Sequence, residues 1–131
     1  MSEQVNGSPL DGETSRRLER WANWASEGGG YSSYVSPFAV IISQNVQRSG
    51  HSRPMPESDD EALETDRAIA VLKNKNRESY AAIIHFYIYR VSIRELGRRL
   101  GISKDKASNL IIHSVMWLEG FLESKVIHRA D

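Results

Sequence analysis

Apolar residues recur every three or four positions through much of the chain, a spacing that is typical of amphipathic α-helices. The first such run is SRRLERWANWASEG, with Thr14 or Ser15 as its candidate N-cap and three glycines at 28–30 that predict its end. Its apolar positions are Leu18, Trp21, Ala22 and Ala25. These positions predict a first helix that buries one face.

Two further runs predict helices in the middle of the chain. SDDEALETDRAIAVLKNKN begins with Ser58 as its candidate N-cap and places three acidic residues at 59–61, where the helix dipole favours negative charge. The next helix is predicted from about Arg77 to Arg90. The buried face is predicted to contain Ala62, Thr65, Ile69 and Leu72 in the earlier helix, and Tyr80, Ile83, Ile84, Tyr87 and Ile88 in the later one.

The helical pattern disappears between the first two runs. Residues 28–57 are rich in Ser, Gly and Asn and contain three of the four prolines, which predicts an irregular arm. Within it, Pro37 is a candidate first residue of a short helix through FAVIIS. Residues 1–12 predict a flexible N-terminus, and residues 13–131 a single helical domain.

The stretch SIRELGRRLGISKDKASNL predicts two helices joined by a tight turn. Ser92 and Glu95 form a candidate capping box for the first of them. Gly101 is expected to end that helix in a left-handed conformation, and Ser103 to cap the last helix. The apolar positions of the last helix are Ala107, Leu110, Ile111, Ser114, Trp117, Leu118, Phe121 and Leu122. No strand pattern competes, so the sequence predicts a small all-α domain of about five helices.

The same stretch satisfies the requirements of a helix-turn-helix, which we place at residues 92–123. Gly97 is small where the second helix crosses the first, and Gly101 makes the turn. An αα-hairpin without any role in DNA binding is the simpler alternative. The positions expected to face inward are Leu96, Leu100, Ile102, Ala107 and Leu110.

The outward-facing polar residues of this stretch form a candidate DNA-binding site. Arg94, Arg98 and Arg99 suit contacts with phosphates, while the N-terminal half of the last helix is placed to reach base edges. Asp105 repels phosphate, so it either accepts a hydrogen bond from a cytosine amino group or favours the start of the helix. The candidates on the last helix are Ser103, Lys104, Lys106, Ser108 and Asn109.

Charge is distributed unevenly, although the formal net charge of the 131 residues is zero. Residues 1–72 carry 6 Lys and Arg against 11 Asp and Glu, whereas residues 73–131 carry 11 against 6. A basic half beside an acidic half is typical of a nucleic-acid module with an attached regulatory segment, and chance is the alternative.

Composition excludes several classes of protein. There is no cysteine, which excludes disulfides and thiolate metal ligands and fits a reducing cytoplasm. The N-terminus lacks a secretory signal, and the longest apolar run, AAIIHFYIY, is less than half of the roughly 20 residues that a membrane span needs. We expect a soluble cytoplasmic protein with no membrane partner.

Neither a metal site nor a catalytic site is predicted. His51, His85, His113 and His128 are far apart and lack ligand spacing, so no metal or other cofactor is expected. The carboxylates at 59–66 suggest a metal-dependent nuclease as an alternative, but helix capping explains the first three of them. The chain has no Gly-rich phosphate loop or nucleophile elbow, so we expect no enzyme.

For several aromatic residues outside the helix-turn-helix, the sequence is compatible with more than one role. Trp21 is expected in the core, whereas Trp24 suits the core, a partner surface or RNA stacking. Tyr31, Tyr34 and Phe38 are expected either to dock the arm or to stack on single-stranded bases.

Residues 77–123, RESYAAIIHFYIYRVSIRELGRRLGISKDKASNLIIHSVMWLEGFLE, resemble the helix-turn-helix of sigma-factor region 4. The shared features are a tyrosine-ending amphipathic helix, a short link, S-x-x-E-L, L-G-I-S and a long last helix. Together with LERWANWA at 18–25 and SRPMPESDDEALETDRAIAVLK at 52–73, the order of segments resembles the lambdoid phage late-gene antitermination protein Q family. The absence of cysteine agrees with the zinc-free branch of that family.

This resemblance implies a transcription regulator of late phage genes in the bacterial host cell. It implies binding to double-stranded DNA at a late promoter and action on bacterial RNA polymerase at the RNA exit channel, so that terminators are read through. Nascent RNA is a further candidate partner. The alternatives are a sequence-specific DNA-binding regulator or a small terminase-type packaging protein that does not act on polymerase, and the oligomeric state is left open.

Overall fold

A computed structural model of the protein describes residues 8–27 and 53–130, with side chains up to residue 124. No strand occurs within these ranges, and the predicted small all-α fold is confirmed. A 3-10 turn at Pro9–Asp11 precedes the first helix, and a π-helical segment at Ile84–Ile88 follows the third. The α-helices are α1 (Glu13–Ser26), α2 (Asp59–Lys75), α3 (Arg77–Ile83), α4 (Ile93–Leu100) and α5 (Lys104–Ala130).

Side-chain caps fix the starts of four of these helices. The Oγ atoms of Ser58, Ser92 and Ser103 each accept a hydrogen bond of 3.1 Å from the backbone N–H three residues later, as predicted. Asn76 caps α3 in the same way, through a 3.0 Å bond from the N–H of Ser79. Asn76 is also the C-cap of α2. A single residue therefore separates α2, which ends at Lys75, from α3, which begins at Arg77.

The start of α1 differs from the prediction. The helix begins at Glu13 after Gly12, so neither Thr14 nor Ser15 is its cap. Regular structure begins even earlier, within the segment predicted to be flexible, because Pro9 suits a first helical position and the Oγ of Ser8 accepts from the N–H of Leu10 at 3.2 Å.

The core lies where α1, α2, the α3–π segment and α5 meet. Trp21 and Trp24 are both buried in it, so of the three roles left open for Trp24 the structure supports the core. Buried aromatic rings of this size contribute strongly to core stability. The largest fully buried side chains are Trp21, Trp24, Leu18, Ile69, Ile83, Leu96, Ile111, Leu118, Val115 and Thr65.

Two buried hydrogen bonds join α1 to the rest of the core. The indole Nε1–H of Trp21 donates to Oδ1 of Asp66 at 2.9 Å, and the hydroxyls of Ser15 and Tyr87 lie 2.6 Å apart. Asp66 is therefore a buried structural carboxylate rather than part of a nuclease site. Buried polar groups without such partners would carry a desolvation cost of about 1–3 kcal/mol each.

The helix predicted from about Arg77 to Arg90 is α-helical only as far as Ile83. After Ile83 the backbone becomes π-helical, with the N–H of Tyr89 bonded to the carbonyl of Ile84 at 3.2 Å. This wider turn brings Ile84, Tyr87 and Ile88 into the core together. The segment ends at Ile88, and two residues later Arg90 adopts φ 61°, an uncommon value for a residue with a Cβ.

Several predictions lie outside the described residues. These are the glycines at 28–30, the short helix through FAVIIS, the aromatic residues at 31–38 and His51. The division of the chain into a flexible terminus, a helical domain and an arm at 28–57 stays a prediction. No described helix has the length and apolar character that crossing a bilayer requires.

Tyr87 gives the fold a dependence on high pH. Burial raises the pKa of Tyr87 to about 12, against an opposing effect of the hydrogen bond with Ser15. Because the folded-state pKa lies above the unfolded value near 10.0, the corresponding stability is present below about pH 10 and is lost as pH rises toward 12. The loss should be on the order of 1–3 kcal/mol.

The measurement is the free energy of unfolding of the wild type and of Tyr87→Phe from about pH 8, below the unfolded-state pKa of Tyr87, to about pH 12, its folded-state pKa. We expect Tyr87→Phe to be less stable at pH 8 by about 1 kcal/mol, because the hydrogen bond with Ser15 is absent, and to approach the wild type at higher pH. Parallel curves for the two proteins over the whole range would contradict the role of Tyr87.

Candidate nucleic-acid interface

The turn between α4 and α5 is fixed by backbone geometry. Gly101 has φ 72° and ψ 32°, the left-handed conformation predicted for it. The N–H of Ile102 donates to the carbonyl of Gly97 at 2.9 Å, and that of Gly101 to Arg98 at 3.3 Å. This pair of bonds is the Schellman motif, which satisfies the last carbonyls of a helix. Ser103 then caps α5 and restarts the helix in a new direction.

A close backbone approach holds the two helices together. A Cβ added to Gly97 would lie 2.8 Å from the carbonyl oxygen of Ile102 and 3.2 Å from that of Ser103. Leu96 and Ala107 are fully buried at this contact, while Leu100, Ile102 and Leu110 are half-buried against the core. This close approach holds α4 against the start of α5 in the α4–α5 unit, defined here as residues 92–110.

The candidate site residues lie on the outer surface of this unit. Arg94, Arg98, Arg99, Ser103, Lys104, Lys106 and Asn109 are exposed, and Ser108 is half-buried. Lys106 and Asn109 line one shallow depression together with Ile102, Leu110 and Glu78 of α3. Lys104 and Ser108, four residues apart, share a different side of α5. The eight residues thus form more than one cluster.

Glu95 neutralises two of the predicted phosphate-binding arginines. Its carboxylate accepts hydrogen bonds from Arg98 and from Nε of Arg99, the latter at 3.0 Å. The hydrogen bonds from Arg98 and then Arg99 lower the pKa of Glu95 to about 2, so the carboxylate stays charged at working pH. The predicted capping box is therefore only half formed, because this side chain turns toward the arginines rather than back to Ser92.

Arg99 also contacts the π-helical segment. Its guanidinium lies 5.7 Å from the ring centroid of Tyr89, and its Nη1 lies 3.4 Å from Nδ1 of His85. Burial, and then the charge of Arg99, lower the pKa of His85, which favours the neutral imidazole. Arg94 has no ion-pair partner among the described residues and remains the most available arginine of the three.

Two acidic residues of this surface were missed as interface residues. Glu95 stands three and four positions before Arg98 and Arg99, a spacing that already indicates helical ion pairs. Glu78 belongs to another helix, and no local pattern relates it to Lys106 and Asn109. Asp105 lies exposed in the first turn of α5, which suits the favourable helix-start role considered for it.

Two of the acidic residues at 59–66 form ion pairs with α1. Glu61 pairs with Arg20 at 2.9 Å, and Glu64 with Arg17 at 3.3 Å, so these carboxylates join α2 to α1. In the described part of the chain, no three His, Asp or Glu side chains converge as metal ligands would. Glu61, Glu64 and Asp66 thus have structural contacts within the fold.

The fold and this surface define a class: a small all-α protein that presents a basic pair of helices joined by a glycine turn. Comparison with protein families matches residues 13–130 to the family described as phage antitermination protein Q. The chain therefore belongs to the phage antitermination protein Q family, whose members are regulatory factors, and is a phage antiterminator by family. No curated protein and no solved structure gives a significant match.

The two helical glycines at 97 and 120 should respond to alanine in opposite ways. Gly97→Ala should lower the free energy of unfolding by about 1–3 kcal/mol, because the added Cβ would collide with backbone atoms at 2.8 Å. Gly120→Ala, in α5 with nothing within 4 Å of the added Cβ, should raise it by about 0.5–1 kcal/mol.

Chemical denaturation of both variants measures this contrast directly. Gly120→Ala serves as the control for a methyl group added to a helical glycine. A Gly97→Ala protein as stable as the wild type would mean that α4 and α5 do not require this close approach.

Proposed function

We propose that this antiterminator binds double-stranded DNA near a late promoter through the α4–α5 unit, acting as a helix-turn-helix, and modifies RNA polymerase at the RNA exit channel. The observation that supports DNA binding is the exposed basic surface held in one geometry by Gly97 and Gly101. The polymerase step is supported by family membership over residues 13–130. The absence of cysteine fits the zinc-free branch.

Base readout is assigned to the first two turns of α5. Asn109 has the amide donor and acceptor that pair with adenine, and Lys106 beside it suits guanine. Glu78 borders the same depression and repels phosphates, which favours base edges over the DNA backbone at this position. Each well-formed base contact of this kind contributes about 1–3 kcal/mol of discrimination.

Phosphate binding is assigned to Arg94, Arg98, Arg99 and Lys104. Arg94 and Lys104 are exposed and have no ion-pair partner among the described residues. Arg98 and Arg99 must first exchange Glu95 for a phosphate. Exposed ion pairs are weak in water, so this exchange is feasible, but Glu95 reduces the net charge offered to DNA.

Lys104→Ala combined with Arg98→Ala should weaken binding to duplex DNA and make it less dependent on salt. Removing one phosphate-binding side chain reduces the slope of log K against log salt by about 0.9. Glu95→Gln should act in the opposite direction, because it removes the carboxylate that neutralises Arg98 and Arg99. Fluorescence anisotropy with a duplex of arbitrary sequence at several salt concentrations measures both effects.

Arg67→Ala is the matched control, since it removes an exposed arginine of α2. We expect it to change the salt slope much less than the double variant. The assignment of the α4–α5 unit fails if the double variant binds like the wild type at fixed salt, or if it matches the Arg67→Ala control.

Purified polymerase transcribing through a terminator downstream of a cognate late promoter tests the antitermination step. We expect read-through only when the protein is present, and at least several-fold less with Lys104→Ala and Arg98→Ala, because DNA binding recruits the protein. The template without the promoter-proximal DNA site is the control.

DNA binding without any read-through would instead support a DNA-binding regulator or a small terminase-type packaging protein. Read-through that does not require the DNA site would separate the polymerase activity from the role proposed for the α4–α5 unit.

A further inference from the structure

A cleft outside the α4–α5 unit contains two arginines. The cleft has a volume of about 380 Å³ and lies between α1, the backbone at 53–54 and the end of the π-helical segment. Phe86 and Val91 supply an apolar wall, and Glu19 lies at its edge. Arg53 and Arg90 both line it, so two positive side chains share one partly enclosed space.

Arg90 is held in the cleft by a buried side chain. Its Nη2 donates to Oδ1 of Asn23 at 2.6 Å, and Nδ2 of Asn23 donates to the carbonyl of Pro54 at 2.7 Å. Asn23 is only 4% exposed. The backbone of Arg90 has φ 61°, the only positive value for a residue other than glycine in the described ranges. Such uncommon conformations concentrate where a side chain must be aimed for a function.

The two guanidinium groups oppose one another electrostatically. Burial, and then the charge of Arg53, lower the pKa of Arg90. Neither arginine forms an ion pair with a carboxylate of the described residues, and Glu19 only partly offsets the repulsion. A bound anion would remove this repulsion, and arginine forks match the oxygens of a phosphate in shape as well as charge.

We propose that Arg53 and Arg90 bind a backbone phosphate of the duplex DNA that occupies the α4–α5 unit. This proposal rests on the proposed function, because it assumes that the α4–α5 unit binds duplex DNA. Arg90 lies three residues before the start of α4, close to that unit in the sequence. The chain from Arg90 to Arg94 spans at most roughly 14 Å. Each DNA strand presents a phosphate about every 3.4 Å along the axis. Phosphates of one strand are therefore spaced closely enough for one to bind at Arg90 and another at Arg94.

The rest of the cleft fits this ligand. The ring of Phe86 and the side chain of Val91 offer an apolar surface to the deoxyribose next to the phosphate. Glu19 also lines the cleft, so its three charged side chains, Glu19, Arg53 and Arg90, leave a net charge of +1 for an anion. The cleft therefore adds a DNA contact that extends the interface beyond the helix pair.

Arg53→Gln is the cleanest test, because the described structure gives Arg53 no hydrogen bond or ion pair to lose. We expect its binding to a duplex of arbitrary sequence to weaken several-fold, with the salt slope reduced by at most about 0.9, because Arg90 still contacts the same phosphate. Arg67→Gln makes the same change in charge on the surface of α2 and should have a much smaller effect. Arg90→Gln should resemble Arg53→Gln, and thermal unfolding shows whether losing the bond to Asn23 disturbs the fold.

Three outcomes overturn the proposal. Equal effects of Arg53→Gln and Arg67→Gln would mean that Arg53 acts only through general surface charge and not through a phosphate site in the cleft. In that case the proposed function would still stand if the double variant Lys104→Ala with Arg98→Ala binds DNA more weakly than the wild type. A larger loss of binding to single-stranded RNA than to duplex DNA for Arg53→Gln would assign the cleft to RNA. Full binding by all variants would overturn both this site and DNA binding by the α4–α5 unit.

Discussion

The buried stripe of α5 is the constraint on which the rest of the structure depends. Ala107, Ile111, Val115, Leu118 and Leu122 follow one another at intervals of three or four residues and are all buried. The first two turns of the same helix carry the polar residues of the candidate interface. Because one rigid helix connects the core to that interface, the packing of the stripe sets the directions of its polar side chains. The close approach at Gly97 then places the arginines of α4 at a fixed distance from α5. Substitutions in the core are therefore expected to affect the proposed DNA binding without contacting the DNA.

Local interactions made much of the fold predictable from sequence. The caps at Ser58, Ser92 and Ser103 and the left-handed Gly101 depend on residues within four positions of each other, and all four were predicted correctly. Features that depend on distant residues were not predictable. Ser15 is hydrogen-bonded to Tyr87, which lies 72 positions later, and the π-helical segment places Tyr87 and Ile88 in a core built by other helices.

The candidate site shows the same limit. Its residue list follows from the spacing within α4 and α5, whereas its grouping depends on Glu78 of α3 and on the carboxylate of Glu95. Arg53 and Arg90 are separated in the sequence by α2, α3 and the π-helical segment, and Asn23 of α1 brings the cleft together. Tertiary contacts of this kind leave no periodic pattern for sequence to report.

Pairing within the fold also changes what the uneven charge of the chain means. In the acidic half, Glu61 and Glu64 are held by arginines of α1, and Asp66 is buried against Trp21. In the basic half, Glu95 forms ion pairs with Arg98 and Arg99. Each of these ion pairs lies within one half of the chain and leaves the net charge of that half unchanged, but pairing confines the unpaired charges to local patches, so the field at the surface is local rather than global. For the proposed DNA binding, such a local field gives little attraction to arbitrary sequences, so selectivity would depend on base contacts and on the number of phosphates engaged at one site.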